Sequence, residues 1–392
     1  MEDVRNIIFV GLYEDDNLGD KIIYECARKL YEKYASGLSY KTKCLSLNPP
    51  VEERKPSVIK RAVYKVRKII GAFLFKRNYF SATTKQKLNE AEKYYYENIQ
   101  GADLIILTGG GLIKYKYQFC CWGSLSALLR AADKRNIKVW LNAVGVEGYD
   151  EREHACRYLK DSIQLPCVKK ISVRDDITTL IDKYFDGNPQ CECKMVADAA
   201  VWAGEVYNTT KRNDSKIIGI GIGHKHLFER DEIKHPVKLK EFYIDLIKRL
   251  LNEQQSLILF TNGGKEDNET AKEICDAIKS EGIVIELYIP NADKDLIEII
   301  AKCKGIIAAR LHSCIIAYSL DIPCVGMVWN EKVAFFGEEI GYPNRFLRDY
   351  EIYPQEAIAQ IEEALENGYD EKKRDEYRET IIDSIKTNIK DI

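Results

Sequence analysis

The sequence predicts an α/β protein of two Rossmann-like, doubly wound domains, and three observations predict it. Apolar runs of about five to seven residues alternate with amphipathic stretches of about ten to fifteen, the pattern of parallel strands joined by crossover helices. The 392 residues exceed the roughly 100 to 200 of one ordinary domain, and 45% of them are apolar, enough for two cores. The polar stretch Asn208 to Ser215 then separates two similar series of strands.

In the first series, strands are expected at Asn6 to Gly11, Lys41 to Leu47, Asp103 to Thr108, Lys138 to Val144 and Lys169 to Val173. Each is a short apolar run bounded by polar or turn residues. A helix is expected over Lys21 to Tyr34, where Ile22, Ile23, Cys26, Ala27, Leu30 and Tyr31 form one apolar face. The second series is Lys216 to Gly221, Ser256 to Thr261, Ile283 to Tyr288, Gly305 to Ala308 and Pro323 to Val328, and helices near Pro354 to Glu366 and Glu371 to Lys386 close the chain. The expected domains are residues 1–207 and 216–392. Facing each other across a cleft, they would share the architecture of one large class of glycosyltransferases.

Charge narrows the partners. With 59 Lys and Arg against 61 Asp and Glu, the chain is no polyanion-coating protein, and no nucleic-acid partner is expected. The apolar run Ile7 to Val10 is too brief for a signal peptide or a membrane span, so a cytoplasmic location is expected. Twelve cysteines scattered through a large chain without an export signal read as reduced thiols. Neither Cys191-Glu192-Cys193 nor the pair Cys120 and Cys121 has the spacing of a structural zinc site, so no metal is expected.

Open parallel sheets bind ligands in the crevice beyond the carboxyl ends of their strands, so the residues just after each strand carry the functional signal. After the first strand, Asn17-Leu18-Gly19-Asp20 leads into a helix, where free amides hold an anion or Asp20 caps the end. Thr108-Gly109-Gly110-Gly111 lets a ligand approach the backbone closely, or serves as a plain turn. Tyr115, Tyr117 and Trp122 beyond it suit sugar rings or a core. Ser172-Val173-Arg174-Asp175 sets Arg174 at a strand end, where its planar fork grips a carboxylate or phosphate, or pairs with Asp175.

In the second half, Arg310-Leu311-His312-Ser313 stands between a buried-looking strand and an apolar helix expected from Cys314 to Leu320. A lone histidine is usually a core residue, but the arginine neighbour and the junction position favour an anion site at Arg310 and His312 with a proton donor beside it. Lys332, followed by Phe336 and Gly337, adds a cation after the next strand, and Asn262-Gly263-Gly264 suits a phosphate turn or a simple connection.

Asn-x-Gly-Asp, Thr-Gly-Gly-Gly, Ser-Val-Arg-Asp and Arg-Leu-His-Ser, in this order over both halves, resemble the polysaccharide pyruvyl transferase family, and the Lys332 region is similar as well. The likeness runs from about Asn6 to Gly341, with Arg310-Leu311-His312 its most specific part. The segment Val144-Gly145-Val146-Glu147-Gly148 departs from it, lacking the family's proline-ended form. The resemblance implies a glycosyltransferase-B-like fold. It also implies transfer of pyruvyl from phosphoenolpyruvate to a sugar of a polysaccharide or its lipid-linked precursor, as a cyclic ketal.

By motif, Arg174, Arg310, Lys332 and Ser313 would bind the donor, with the two arginines acting from opposite domains. His312 would be the acid, and Asp20, on the opposite domain from His312, would orient or deprotonate the acceptor. Asn17, Gly19, Gly109, Gly110 and Gly111 would shape the acceptor side. The scheme needs no cofactor. Two alternatives stay open: a nucleotide-sugar glycosyltransferase of the same fold, and a non-catalytic sugar-binding or assembly protein.

One segment breaks the charge balance. Arg54 to Leu88 contains eleven Lys or Arg and no Asp or Glu, and Ile59, Ala62, Val63, Val66, Ile70, Phe73 and Leu74 recur at helical spacing. Such a basic amphipathic helix either packs on the first domain or rests on an anionic membrane surface near a lipid-linked acceptor.

Overall fold

Strands covered on both faces read as unbroken apolar runs, and the centre of the first sheet is built from such runs. The structure, a computed structural model, describes residues 4–14, 17–50, 80–116, 118–224, 226–228, 238–348 and 352–391. Its first eight strands are β1 (Arg5–Gly11), β2 (Tyr40–Ser46), β3 (Leu104–Thr108), β4 (Ile113–Lys114), β5 (Lys138–Val144), β6 (Val146–Glu147), β7 (Val168–Val173) and β8 (Glu192–Met195). Six of them form a parallel sheet in the order β2-β1-β3-β5-β7-β8, while β4 and β6 pair separately. Every residue of β3 is buried, and its register with β1 sets Ile7 opposite Leu104 and Val10 opposite Leu107.

The second sheet contains β9 (Ile217–Gly221), β10 (Ser256–Phe260), β11 (Leu287–Tyr288), β12 (Gly305–Ala308), β13 (Cys324–Met327) and β14 (Phe346–Leu347). Their order is β11-β10-β9-β12-β13-β14, again all parallel. This is the Rossmann order, whereas the first sheet follows the flavodoxin-like one. The two halves are thus alike in layer structure and different in winding. The strand order reverses between β1 and β3 in one sheet and between β9 and β12 in the other, which places the binding crevices beyond Thr108 and beyond Ala308.

Several elements differ from the expectation. The strand expected from Ile283 shrinks to Leu287–Tyr288 at a sheet edge, and Val284 is 84% exposed, so its apolar character buries nothing. Strands β8 and β14 are absent from the expectation: β8 carries no apolar run, and the apolar Phe346–Leu347 of β14 is only two residues long. The helix expected from Cys314 begins at Leu311 and ends at Ser319, which brings His312 and Ser313 into its first turn. At its far end Arg374 donates to the carbonyls of Tyr318 and Ser319 at 3.0 and 2.6 Å, a cation where the helix dipole favours one.

The chain divides into two compact units, and more than one cut separates them. The first unit comprises Met1–Leu12, Glu32–Val196 and Lys386–Ile392; the second comprises Tyr13–Tyr31 and Ala197–Ile385. A single division after residue 207 misses both crossings. The start of the first helix (Leu18–Tyr34) is fastened in the second unit by the Leu18 N–H, which donates to the Asn262 carbonyl at 3.2 Å. The tail returns to the first unit, where Lys170 donates to Asn388 Oδ1 at 3.1 Å.

Of the basic segment 54–88, residues 54–79 lie outside the described residues. Where description resumes, Ser81 caps the helix Ala82–Asn98 by accepting the Thr84 N–H at 2.9 Å. Among the described residues no helix is long and apolar enough to cross a membrane.

Candidate active site

In the second unit the carboxyl edge of the sheet gathers the amino ends of four helices: Leu18–Tyr34, Lys265–Lys279, Leu311–Ser319 and Glu331–Glu339. Unsatisfied N–H groups and aligned peptide dipoles bias such an edge toward anions. Arg310, the residue preceding Leu311–Ser319, donates through Nε and Nη2 to the two oxygens of Asp267 at 2.8 and 2.6 Å. Asp267 is 1% exposed and also accepts the His224 N–H at 2.8 Å. The planar fork assigned to a donor ligand is therefore turned onto a buried carboxylate, and two of the guanidinium's five N–H groups are engaged there.

Asn17 caps the first helix, its Oδ1 accepting the Gly19 N–H at 3.2 Å and its amide donating to Asp20 at 2.8 Å. Capping thus falls to Asn17 rather than to Asp20. The structure also corrects the expectation that Asp20 lies on the opposite domain from His312. Both belong to the second unit, which takes in the start of the first helix. The contact is close: a Cβ placed on Gly19 would come within 2.1 Å of His312 Nδ1 and 2.7 Å of its Cβ. Gly19 is required because the imidazole lies directly on this helical turn. Gly19→Ala is expected to displace the ring and lower turnover by about tenfold or more while leaving the fold intact, read from steady-state rates beside thermal melts.

The other predicted residues of this edge take distinct places. Ser313 is fully buried, and its hydroxyl donates to Asn262 Oδ1 at 2.6 Å, so it fastens the junction. The Lys332 ammonium lies 4.9 Å from the centre of the Trp329 ring, and Trp329 Nε1 donates to the Ala309 carbonyl at 2.7 Å. Lys332 is thereby tied to the backbone beside Arg310. Tyr243 braces the turn after β9, accepting the Gly223 N–H at 3.1 Å and donating to the Gly221 carbonyl at 3.2 Å. Asp267, Trp329 and Tyr243 escaped the sequence reading because they sit in or near helices, where a charged or aromatic residue is unremarked without knowledge of the strand order.

In the first unit the triple glycine forms a turn beyond β3, with φ of 43° at Gly109 and 81° at Gly110. The turn is pinned to the end of β5: Gly109 N–H donates to the Asn142 carbonyl at 2.9 Å and Gly145 N–H to the Gly110 carbonyl at 2.7 Å. Inside β5, Ala143 has φ of 51°, a left-handed value that only the surrounding structure sustains, and the pairing with β7 slips between Leu141 and Val144. Ser172 Oγ accepts the Ala143 N–H at 2.9 Å and holds this bulge. Backbone strain of this kind clusters at ligand clamps and active sites, and no composition reveals it.

Arg174, 6% exposed, closes β7, and Asp175 next to it is 3% exposed. Asp175 Oδ1 accepts the N–H groups of Val146 and Asp176 at 2.7 and 2.8 Å, while Oδ2 abuts Gly145. Burial pushes this carboxyl up to about 6, against the opposing pull of Arg174 and the two N–H groups, with Glu147 adding to the rise. Because the folded pKa lies above the unfolded one, the stability it contributes is present at acid pH and lost as pH climbs from about 4 through about 6. Asp175→Asn keeps an acceptor for both N–H groups and does not titrate. Relative to wild type it is expected to gain up to about 3 kcal/mol between pH 4 and pH 7, measured by urea unfolding. A difference that does not change with pH would contradict this.

Tyr115 is buried, and Trp122 stacks on Phe80 with ring centres 5.1 Å apart; Tyr117 lies outside the described residues. All twelve cysteines are thiols, and among the described residues no cluster of His, Cys, Asp and Glu is suited to a metal.

Among curated proteins no relative matches the sequence. Solved structures match over nearly the whole length. The UDP-GlcNAc 2-epimerase from Methanocaldococcus jannaschii is 12% identical with a TM-score of 0.61, covering 98% of this chain and 99% of its own. The UDP-N-acetylglucosamine 2-epimerase from Rickettsia bellii is 13% identical at TM-score 0.56, over 98% and 95%. The α,α-trehalose 6-phosphate synthase from Burkholderia multivorans is 9% identical at 0.55, over 99% of both chains. At these identities the likeness is one of fold, and it is the glycosyltransferase-B-like fold that the sequence predicts. The polysaccharide pyruvyl transferase family matches residues 17–331, a span that runs from Asn17 through Arg174 and the Arg310–Ser313 junction. The chain belongs to the polysaccharide pyruvyl transferase family.

Proposed function

We propose that the protein transfers the pyruvyl group of phosphoenolpyruvate to a saccharide, closing a cyclic ketal and releasing phosphate. The observation that carries this reading is the Arg310–His312 junction, where a cation and an imidazole share one helical start with Lys332 close to the same backbone. Phosphoenolpyruvate brings a carboxylate and a phosphate on a three-carbon frame, so its site needs cations and helix amides more than it needs apolar walls.

In this scheme the enol carbon takes a proton from His312, which leaves a cationic centre at the neighbouring carbon. A sugar hydroxyl adds there and loses its proton; phosphate departs with its bridging oxygen and leaves the carbon cationic again, and a second hydroxyl adds to that carbon and loses its proton as the ring closes. An imidazole beside a phosphate is favoured in its protonated form by the opposite charge, as the first step requires. Asp267 keeps Arg310 in one orientation throughout, and Gly19 leaves room for the His312 ring. Arg174 is the corresponding cation of the first unit.

The test is a thermal-shift screen of the wild-type protein with phosphoenolpyruvate and with uridine and guanosine diphosphate sugars. Protection by phosphoenolpyruvate and not by the nucleotide sugars supports the reading; the reverse pattern would make the protein a nucleotide-sugar enzyme. Donor protection without turnover would fit a sugar-binding or assembly protein.

A further inference from the structure

Two thiols in contact at the rim of a sheet make a chemical group that neither makes alone. Cys191, just before β8, and Cys193, within it, bring their sulfurs to 3.8 Å, and both side chains are half-buried. Their place is an edge. Strand β8 ends the first sheet, paired to β7 with Cys193 opposite Ile171, so one side of it has no neighbouring strand in that sheet. Residues two apart on an extended chain point to the same face, and two strand steps span about 6.6 Å between Cα atoms, a separation that a disulfide bridges.

The other thiols lack this combination. Seven of the twelve cysteines are buried, and burial pushes Cys167 and Cys303 up to about 12, far from the reactive thiolate form. A similar contact joins Cys120 to Cys121, but Cys121 is 1% exposed. In the edge pair the S–H of one thiol donates to the sulfur of the other. This contact holds Cys193 below the ordinary thiol range, against burial and the charge of Glu192, and raises Cys191. Glu192 itself is exposed, with its carboxylate 3.7 Å from Lys170 Nζ and 3.5 Å from Lys194 Nζ, two cations that offset its charge.

We propose that Cys191 and Cys193 are a peroxide-reactive dithiol that closes reversibly into a disulfide. The oxidant is a hydroperoxide. The Cys193 thiolate attacks one peroxide oxygen: the S–O bond forms, the O–O bond breaks, and the departing oxygen takes up a proton, leaving Cys193 as a sulfenic acid. The Cys191 thiol then attacks that sulfur; the S–S bond forms as the S–O bond breaks, and the hydroxyl leaves as water with the Cys191 proton. The two thiols are oxidised by two electrons and the hydroperoxide is reduced by two. No step of pyruvyl transfer uses either thiol, so this site stands or falls separately from that reading.

The test treats native wild-type protein with a stoichiometric amount of hydrogen peroxide and then blocks the remaining thiols with N-ethylmaleimide in denaturant. Trypsin releases both cysteines on one peptide, Tyr184–Lys194, which contains no other cysteine. That peptide is expected unblocked and two hydrogens lighter, about tenfold sooner than the exposed Cys44 is oxidised, and dithiothreitol should return it to the doubly blocked form. Cys191→Ser should stop oxidation at the sulfenic acid, trapped by dimedone on Cys193, and Cys193→Ser should slow oxidation of Cys191 to the rate of Cys44.

A Tyr184–Lys194 peptide still doubly blocked once Cys44 is oxidised would overturn the proposal. So would a disulfide from either thiol to any other cysteine, or dimedone trapping at Cys191 in Cys193→Ser as fast as at Cys193 in Cys191→Ser. The wild-type peptide decides by itself if a variant folds poorly.

Discussion

His312→Ala is expected to lower turnover by about two to four orders of magnitude while changing phosphoenolpyruvate affinity little. The reasoning starts from position. His312 occupies the first turn of Leu311–Ser319, with its ring against Gly19 of a second helix start. A general acid fixed in this way contributes to the transition state more than to the ground state, so its loss falls on kcat. Single-turnover rates with saturating donor measure this directly. A variant within a few-fold of wild type would remove His312 from proton transfer and leave it a packing role beside Gly19.

Asp267→Ala is expected to destabilise the second unit by about 3 to 5 kcal/mol, because it strips the partner from Arg310 and leaves a paired cation without its counter-charge. Two hydrogen bonds from Arg310 and one from the His224 N–H end on this carboxylate, which is almost wholly buried. The change should also weaken donor binding, since the guanidinium loses its fixed orientation. Urea unfolding and donor titration read the two effects separately. Unchanged stability would mean that the pair contributes nothing net, as exposed ion pairs often do.

Much of the fold is legible in the sequence because buried parallel strands are chemically plain. Lys138–Val144 and Gly305–Ala308 coincide with the expected strands to the residue, and the apolar face of the first helix follows its spacing. What periodicity does not reveal is which unit a helix joins. The start of the first helix follows a strand of the first sheet yet belongs to the second unit, and local pattern therefore places Asp20 on the wrong side of His312. Strand order is also invisible to local pattern, so the two sheets read as similar halves although they wind differently.

The site shows the same division. Motifs at strand ends marked Arg310, His312, Arg174 and the triple glycine, because a charged residue or glycine directly after an apolar run is conspicuous. Their partners lay elsewhere in the chain. Asp267 stands 43 residues before Arg310, and the triple glycine is pinned to Gly145, beyond a bulge that exists only because Ala143 adopts a left-handed conformation. Neither relationship has a local signature.

The most direct test of pyruvyl transfer is a ³¹P NMR time course of wild-type protein with phosphoenolpyruvate, in the presence and absence of saccharides. The account predicts that inorganic phosphate appears only with saccharide and in equal amount to a new ketal methyl signal in the parallel ¹H spectrum. Phosphoenolpyruvate that persists unchanged with every saccharide, while a nucleotide diphosphate sugar is consumed, would contradict it.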